Sequence, residues 1–372
     1  RFSVQRQGQG WTLVNPDGSP TFLTALNHLT SFPCASNDAA CLENDLWTIH
    51  YHENWTALAV DFVANLKSWG FSSAGYGQTE AGWGMYPHFA HILPTQASPD
   101  ASPGPFHYTD VFTEAFNTTT DAASAKVIAA VLSSGPQNCV GYYFMDIPLW
   151  GLQDKREGDC LACHWPGFFR SLNQTAPGKA AVNLTDPAVV ACDTAFLGVV
   201  AERIYSVAAA AVRRYDPGAL VFGDRFIQTD IPEPVLIAAA RHFDVVSIQP
   251  NPFGLPSTAD IQLSIQAVVN VSRMLNKPIM IADQATRYPD PKMPFPVRGP
   301  IAPTEEAAGE YYDQYLTGLR ATDGAVVGYA HCQYIDRRVH QLNFTKQGLL
   351  QYSGEPRPEL CAAITRANNK MN

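Results

Sequence analysis

Eight short apolar runs recur along this chain, and amphipathic stretches separate several of them. The runs cover residues 21–27, 72–76, 89–93, 141–146, 220–224, 245–249, 279–283 and 326–331. Most are continuously apolar rather than alternating, as a parallel strand covered on both faces requires. Residues 55–69 read as an amphipathic helix stopped by Gly70. Residues 193–214 read as a helix followed by the turn Asp216-Pro217-Gly218, and residues 304–320 as one opened by the capping sequence Thr304-Glu305-Glu306. Eight strands alternating with helices predict an α/β fold, a (β/α)8 TIM barrel, with residues 1–372 as a single domain. A doubly wound sheet fits less well: Asn27-His28-Leu29 follows the first strand, where a glycine-rich phosphate loop would stand. Residues 2–20 read as a short N-terminal β-hairpin, with Asn15-Pro16-Asp17-Gly18 as its turn, capping the barrel bottom. Residues 96–106 and 151–186 read as long loops on the opposite, active face.

Composition narrows the setting. With 372 residues, 46% hydrophobic and 16% charged, the chain affords a large core and is not a disordered one. A net charge of −9 argues against nucleic acid or anionic membrane as partner. The most apolar stretch, residues 191–212, is interrupted by Asp193, Glu202 and Arg203, so no membrane span is expected. Six Asn-x-Ser/Thr sequons, at Asn54, Asn117, Asn173, Asn183, Asn270 and Asn343, point to a secreted glycoprotein. A start at Arg1 rather than Met fits removal of a signal peptide. Eight cysteines suit a disulfide set. Cys34 and Cys41 close a short loop and are expected to pair; the other six stay unassigned. Cys160-Leu161-Ala162-Cys163-His164 matches the c-type haem pattern, but no second haem feature accompanies it, and a local disulfide is the plainer reading. No second C-x-x-C or paired His follows at ligand spacing, so neither metal nor cofactor is expected.

In such a barrel the reactive groups sit at the C-terminal strand ends. Here those ends carry Asn27, His28, Tyr76, Asp146, Asp224, Arg225, Gln249, Asn251, Asp283, Gln284, His331, Gln333, Tyr334 and Asp336. Amide, hydroxyl and imidazole groups beside aromatic rings suit a sugar, whose hydroxyls surround an apolar face. Trp150, Trp83 and Tyr86 offer stacking surfaces, although packing is their commoner use. Asp146 and Asp283 close the fourth and seventh runs, and glycoside hydrolysis needs two carboxyl groups flanking the scissile bond. Strand-end Asp residues also cap loops or pair with Arg, and Asp224-Arg225 fits an internal ion pair as well as a ligand contact.

Several motifs then fall in order. Phe2-Ser3-Val4, Trp11-Thr12-Leu13-Val14-Asn15-Pro16-Asp17-Gly18 and Leu26-Asn27-His28 open the chain. Leu66-Lys67-Ser68-Trp69-Gly70-Phe71, Gly223-Asp224-Arg225, Asp244-Val245-Val246-Ser247, Lys277-Pro278-Ile279-Met280-Ile281 and the tail from Gln347 to Leu360 follow. Together they resemble the agarase-type glycoside hydrolases of clan A over nearly the whole chain. The resemblance implies a barrel hydrolase with a carbohydrate substrate and two catalytic Glu residues. This sequence departs at both: Asp146-Ile147-Pro148 stands where the family has Asp-Asn-Glu, and Asp283 stands for the nucleophile Glu. Asp is one methylene shorter, so an Asp146–Asp283 pair would leave room for a water, as inverting hydrolysis requires. The expectation is a secreted, exo-acting glycosidase with Asp146 as acid and Asp283 as base or short nucleophile. The alternative is a carbohydrate-binding barrel that has lost hydrolysis.

Overall fold

The computed structural model describes residues 1–28, 51, 54–78, 80–94, 108–146, 148, 150–152, 164–172, 183, 185–227, 231–250, 255, 257–289, 301–336, 338–340, 343–344, 347–351 and 354–370. The long segment 96–106, most of 151–186, Asn251, Asn173 and the Cys34–Cys41 pair lie outside these residues.

The chain opens with a three-stranded antiparallel sheet, β1 (Ser3–Gln7), β2 (Gly10–Val14) and β3 (Pro20–Thr21). Its first turn is at Gly8-Gln9, not at Asn15–Gly18 as the sequence led us to expect. Gly8 adopts φ 61°, which lets two residues close the hairpin. The Asn15–Gly18 turn instead joins β2 to β3, with Gly18 N–H donating to Asn15 O at 2.9 Å. Eight parallel strands then close a barrel in chain order: β4 (Leu23–Leu26), β5 (Ser73–Ala74), β6 (His88–His91), β7 (Cys139–Asp146), β8 (Leu220–Ile227), β9 (Val246–Gln249), β10 (Ile279–Gln284) and β11 (Val326–His331). Each overlaps one of the eight apolar runs. A short pair, β12 (Arg338–His340) and β13 (Asn343–Phe344), follows.

Around the barrel stand α1 (Trp55–Ser68), α2 (Glu114–Ser134), α3 (Trp165–Leu172), α4 (Pro187–Tyr215), α5 (Glu233–His242), α6 (Thr258–Leu275), α7 (Glu305–Arg320) and α8 (Pro358–Asn369). Their starts follow from capping chemistry: the Asn54 side chain accepts from Thr56 and Ala57 N–H, and the Thr304 hydroxyl from Ala307 N–H. Helix α4, with 29 residues, is long and apolar enough by composition to cross a membrane. Leu197, Val200, Ile204, Tyr205, Ala208 and Val212 are buried in the core, which accounts for that apolarity.

The core has two layers. Leu23, Phe89, Val140, Phe222, Val245, Met280 and Val327 fill the barrel interior together with Leu13 of the N-terminal sheet and Phe2 just ahead of it. That sheet therefore plugs the N-terminal end of the barrel, and Trp11 N–H donates to Gly324 O just ahead of β11. The second layer lies between strands and helices and includes Val221, Phe226, Ile279, Ile281 and Tyr205.

Three barrel strands lose their regular alternation just before the mouth. Against β7, the pairing of β8 jumps from Val221 to Gly223 while β7 moves only from Tyr142 to Tyr143. A second shift lies between Tyr143 and Asp146 of β7, and a third between Ile281 and Gln284 of β10. In β8, Leu220 and Phe222 point inward and Val221 outward. Past Gly223, at φ 62°, the phase is reversed: Asp224 faces α4 and Arg225 faces the barrel axis. Register shifts commonly re-aim side chains beside functional sites. Gly223 also has no room for a side chain, since a Cβ there would meet the Phe243 ring at 2.1 Å.

Gly223→Ala should therefore cost about 1–3 kcal/mol for overpacking on top of ~1–2 kcal/mol for the left-handed backbone. Gly8→Ala, whose Cβ meets nothing within 4 Å, should cost only the second amount. Urea unfolding of both variants checks this, and equal costs would show that the Phe243 ring yields freely.

Candidate active site

Arg225 is the centre of the mouth and is fully buried. Its Nη1 donates to Asp146 Oδ1 at 2.5 Å, and its Nη2 to Asp283 Oδ2 at 3.0 Å and Ala282 O at 2.9 Å. The guanidinium carbon lies 4.0 Å from the Tyr76 ring centroid and 5.7 Å from that of Tyr143, so aromatic faces cover the cation. Because both carboxylate oxygens touch one guanidinium, they lie within about 8 Å of each other. That limit admits both the roughly 5 Å spacing of retaining pairs and the roughly 6.5–9.5 Å spacing of inverting ones.

Around this bridge the strand ends supply fixed polar groups. Gln249 Nε2 donates to Asp146 Oδ1 at 3.0 Å and to Arg225 O at 3.2 Å. Asn27 Nδ2 donates to Ala282 O at 2.8 Å, and its Oδ1 accepts from Tyr76 N–H at 2.8 Å, so one amide joins β4, β10 and the chain after β5. His28 stands at φ 58° with its N–H on Tyr76 O, its ring edge-on to Tyr76, and its Nε2 3.7 Å from Asp283 Oδ2. Burial pushes the Asp283 carboxyl up, but the neighbouring His28 ring and the Arg225 charge outweigh it and hold the group at about 2. Asp283 is thus a carboxylate at any ordinary pH, and its side chain keeps 15% exposure at the mouth. Arg225 is pushed further up: burial opposes its charge, but Asp146 and Asp283 outweigh that effect.

Other predicted site residues are engaged elsewhere. Asp224, one residue from Arg225, accepts from Tyr205 Oη at 2.7 Å, Met145 N–H at 3.1 Å and Trp150 Nε1 at 3.2 Å. Its buried carboxyl fastens β7 and β8 to α4, and burial raises it to about 7 despite those three donors. Trp150 is buried among Trp165 and Tyr205, and Trp83 is buried and stacks on His88, so neither offers a free face for a sugar. Tyr86 donates its hydroxyl to Phe71 O. Tyr334 accepts from Asn65 Nδ2 at 2.8 Å, on the helix side of the barrel. Asp336 pairs with Arg357 and accepts from Gln347 and Gly348 N–H, shaping the loop after β11. Gln333 is buried; its carbonyl accepts from Leu349 N–H at 3.1 Å. Gln284 Nε2 donates to Ala285 O at 3.1 Å. Burial lowers His331 to about 4, and its Nε2 lies 3.1 Å from Gln347 O.

The mouth therefore gathers Asn27, His28, Tyr76, Asp146, Arg225, Gln249 and Asp283. Two residues that the sequence reading passed over also belong here. Cys332 follows His331 directly, so its place at a strand end was legible, but it entered only the cysteine count. Gln347 comes from beyond the barrel strands, where no periodicity marks it. Gln347 Nε2 donates to Cys332 Sγ at 3.1 Å while its Oε1 accepts from Arg287 Nε at 2.6 Å. His28, Asp283 and Cys332 bring three potential metal-ligand atoms within 4.8 Å of one another. Among the described residues no disulfide joins Cys139, Cys192, Cys332 or Cys361.

No family model matches this sequence, and no curated protein matches it. Among solved structures, the whole chain is similar to an agarase, AgWH50C, at 20% identity and a TM-score of 0.73, covering 63% of that chain. It is similar to an exo-β-agarase at 20% identity and a TM-score of 0.70, covering 65% of it. A GH2 β-galacturonidase from Eisenbergiella tayi bound to galacturonate matches at 11% identity and a TM-score of 0.57, covering 55% of it. The chain thus spans less than two thirds of the length of these neighbours. At these identities the likeness is one of fold.

Two measurements test the electrostatics. Arg225→Met removes one partner from two buried carboxylates and should destabilise the protein by about 3–5 kcal/mol, read by urea unfolding. Asp224, raised to about 7 from 3.8, binds its proton more tightly when folded. It therefore contributes stability that is full below about pH 4 and is lost as the pH rises through 7. Asp224→Asn should flatten that fall, measured as unfolding free energy against pH; an unchanged slope would show that another group carries it.

Proposed function

We propose that this barrel is a secreted glycoside hydrolase acting on an oligo- or polysaccharide. One observation carries the reading: the carboxylates ending the fourth and seventh barrel strands meet on one guanidinium at the C-terminal mouth, one of them partly open. The agarases and the galacturonidase of similar fold act on carbohydrates, and that substrate class is the one we carry over. Asp283, held at about 2, suits a nucleophile or the base that activates water. Asp146 is the partner carboxyl for the leaving oxygen. It accepts from Arg225 and Gln249, so it serves as acid only when substrate draws those donors away and it gains a proton. Exo action is supported by the two long segments after β6 and β7, residues 96–106 and 151–186. Glycans at the exposed Asn54, Asn183 and Asn270 fit the secreted setting; the Asn117 amide is already shared between Glu114 and Arg203.

A second reading has its own observation. Arg225 pairs both carboxylates at once, a resting arrangement that suits a sugar-binding barrel without hydrolysis. Release of reducing ends from algal, plant and fungal glycans separates the two. For a hydrolase, Asp283→Asn should lower kcat/KM by about 10²–10⁴-fold while leaving glycan affinity within a few fold. Full activity in that variant overturns the role of Asp283. Glycan binding with no release by the wild type supports the second reading.

A further inference from the structure

Three donor atoms of different kinds converge beside Arg225. A ring nitrogen of His28, a carboxylate oxygen of Asp283 and Sγ of Cys332 lie within 4.8 Å of one another, with His28 and Cys332 buried. The His28–Asp283 separation, 3.7 Å, is already that of two ligands on one ion: bonds of about 2.0–2.3 Å to a tetrahedral zinc place its ligand atoms about 3.3–3.8 Å apart. His28 reaches this place from a left-handed backbone, φ 58°, which is uncommon for a residue with a side chain. Its ring packs against Gly77, where a Cβ would come within 2.9 Å of Nδ1. Cys332 Sγ is a hydrogen-bond acceptor for Gln347 Nε2, and Gln347 is fixed by Arg287. Metal ligands are commonly oriented by such outer groups.

We propose that His28, Asp283 and Cys332 form a mononuclear site for a zinc-type divalent metal, with its fourth position open to the mouth. The three ligands come from the ends of the first, seventh and eighth strands, which is why no ligand spacing appears in the sequence. Binding takes up one metal ion and releases the Cys332 thiol proton to solvent, while His28 enters as neutral imidazole. The site stands whether or not the barrel hydrolyses sugars. If it does, as proposed above, metal and substrate compete for Asp283, and zinc inhibits.

The test uses the whole chain, stripped with chelator and carrying Cys160→Ser and Cys163→Ser, because that C-x-x-C-H segment is a second possible zinc binder. Zinc affinity is measured against a chromophoric chelator, and cobalt is added to observe a thiolate-to-cobalt charge-transfer band. We expect one equivalent of zinc, one proton released per metal, and the charge-transfer band. Cys332→Ser should abolish the band and weaken zinc at least tenfold, His28→Gln should do likewise for affinity, and Gln347→Ala should weaken zinc about tenfold. Unfolding midpoints in the absence of metal show whether each variant is folded. Absence of zinc binding at micromolar metal, or binding that neither Cys332→Ser nor His28→Gln changes, overturns the proposal. Reducing-end release is assayed separately, so failure of hydrolysis leaves the metal result readable.

Discussion

The mouth of the barrel depends on one guanidinium shared between two carboxylates. Arg225 has no exposed surface, and its two terminal nitrogens reach Asp146 on β7 and Asp283 on β10. Burying these charges is costly, and an incomplete set costs more than none. The surrounding groups answer that demand. Ala282 O and the faces of Tyr76 and Tyr143 receive the cation. Gln249 holds Asp146, and Asn27 holds the Ala282 carbonyl and the chain at Tyr76. The polar ring is thus less a set of independent ligand contacts than a scaffold around one cation. Its partly exposed carboxylate is that of Asp283, beside which His28 and Cys332 also arrive.

This arrangement explains why part of the site was legible in the sequence and part was not. Runs that are mostly continuous and apolar marked the barrel strands, because strands buried on both faces tend to be apolar throughout. The same property hid which residues point inward, since a run without alternation carries no phase. Asp224 and Arg225 were therefore equal candidates, and the extra residue in β8 decides between them: Asp224 ties the strand to Tyr205 and Trp150, while Arg225 enters the mouth. Trp150 was readable as an aromatic residue after the fourth strand but not as a buried one. Asp336 sat at the right distance past the last strand, yet Arg357, 21 residues on, claims it for the loop. Contacts over such separations leave no periodic trace.

The same geometry bears on the two positions where the sequence resemblance implies Glu. Pro148 stands at one, two residues after Asp146, and Asp283 stands at the other; Asp146 and Asp283 are both drawn onto Arg225. The fold limits where chemistry can occur. The N-terminal segment fills the opposite end with Phe2 and Leu13, so any ligand meets the barrel from one side only.

The extra residue at Gly223 has a consequence for reading relatives of this chain. Strand β8 behaves as a frame: its meaning depends on the count of residues ahead of the Gly-Asp-Arg triplet as much as on the letters. Removal of one residue there would present Asp224 to the axis and turn Arg225 toward α4. Asp146, Asp224 and Asp283 would then face one another without the Arg225 guanidinium between them, and a cluster able to hold itself together would become one that repels itself. Two chains with the same triplet but different spacing would align well and yet carry opposite sites. Length between landmarks, rather than identity at them, is the character by which this barrel should be compared.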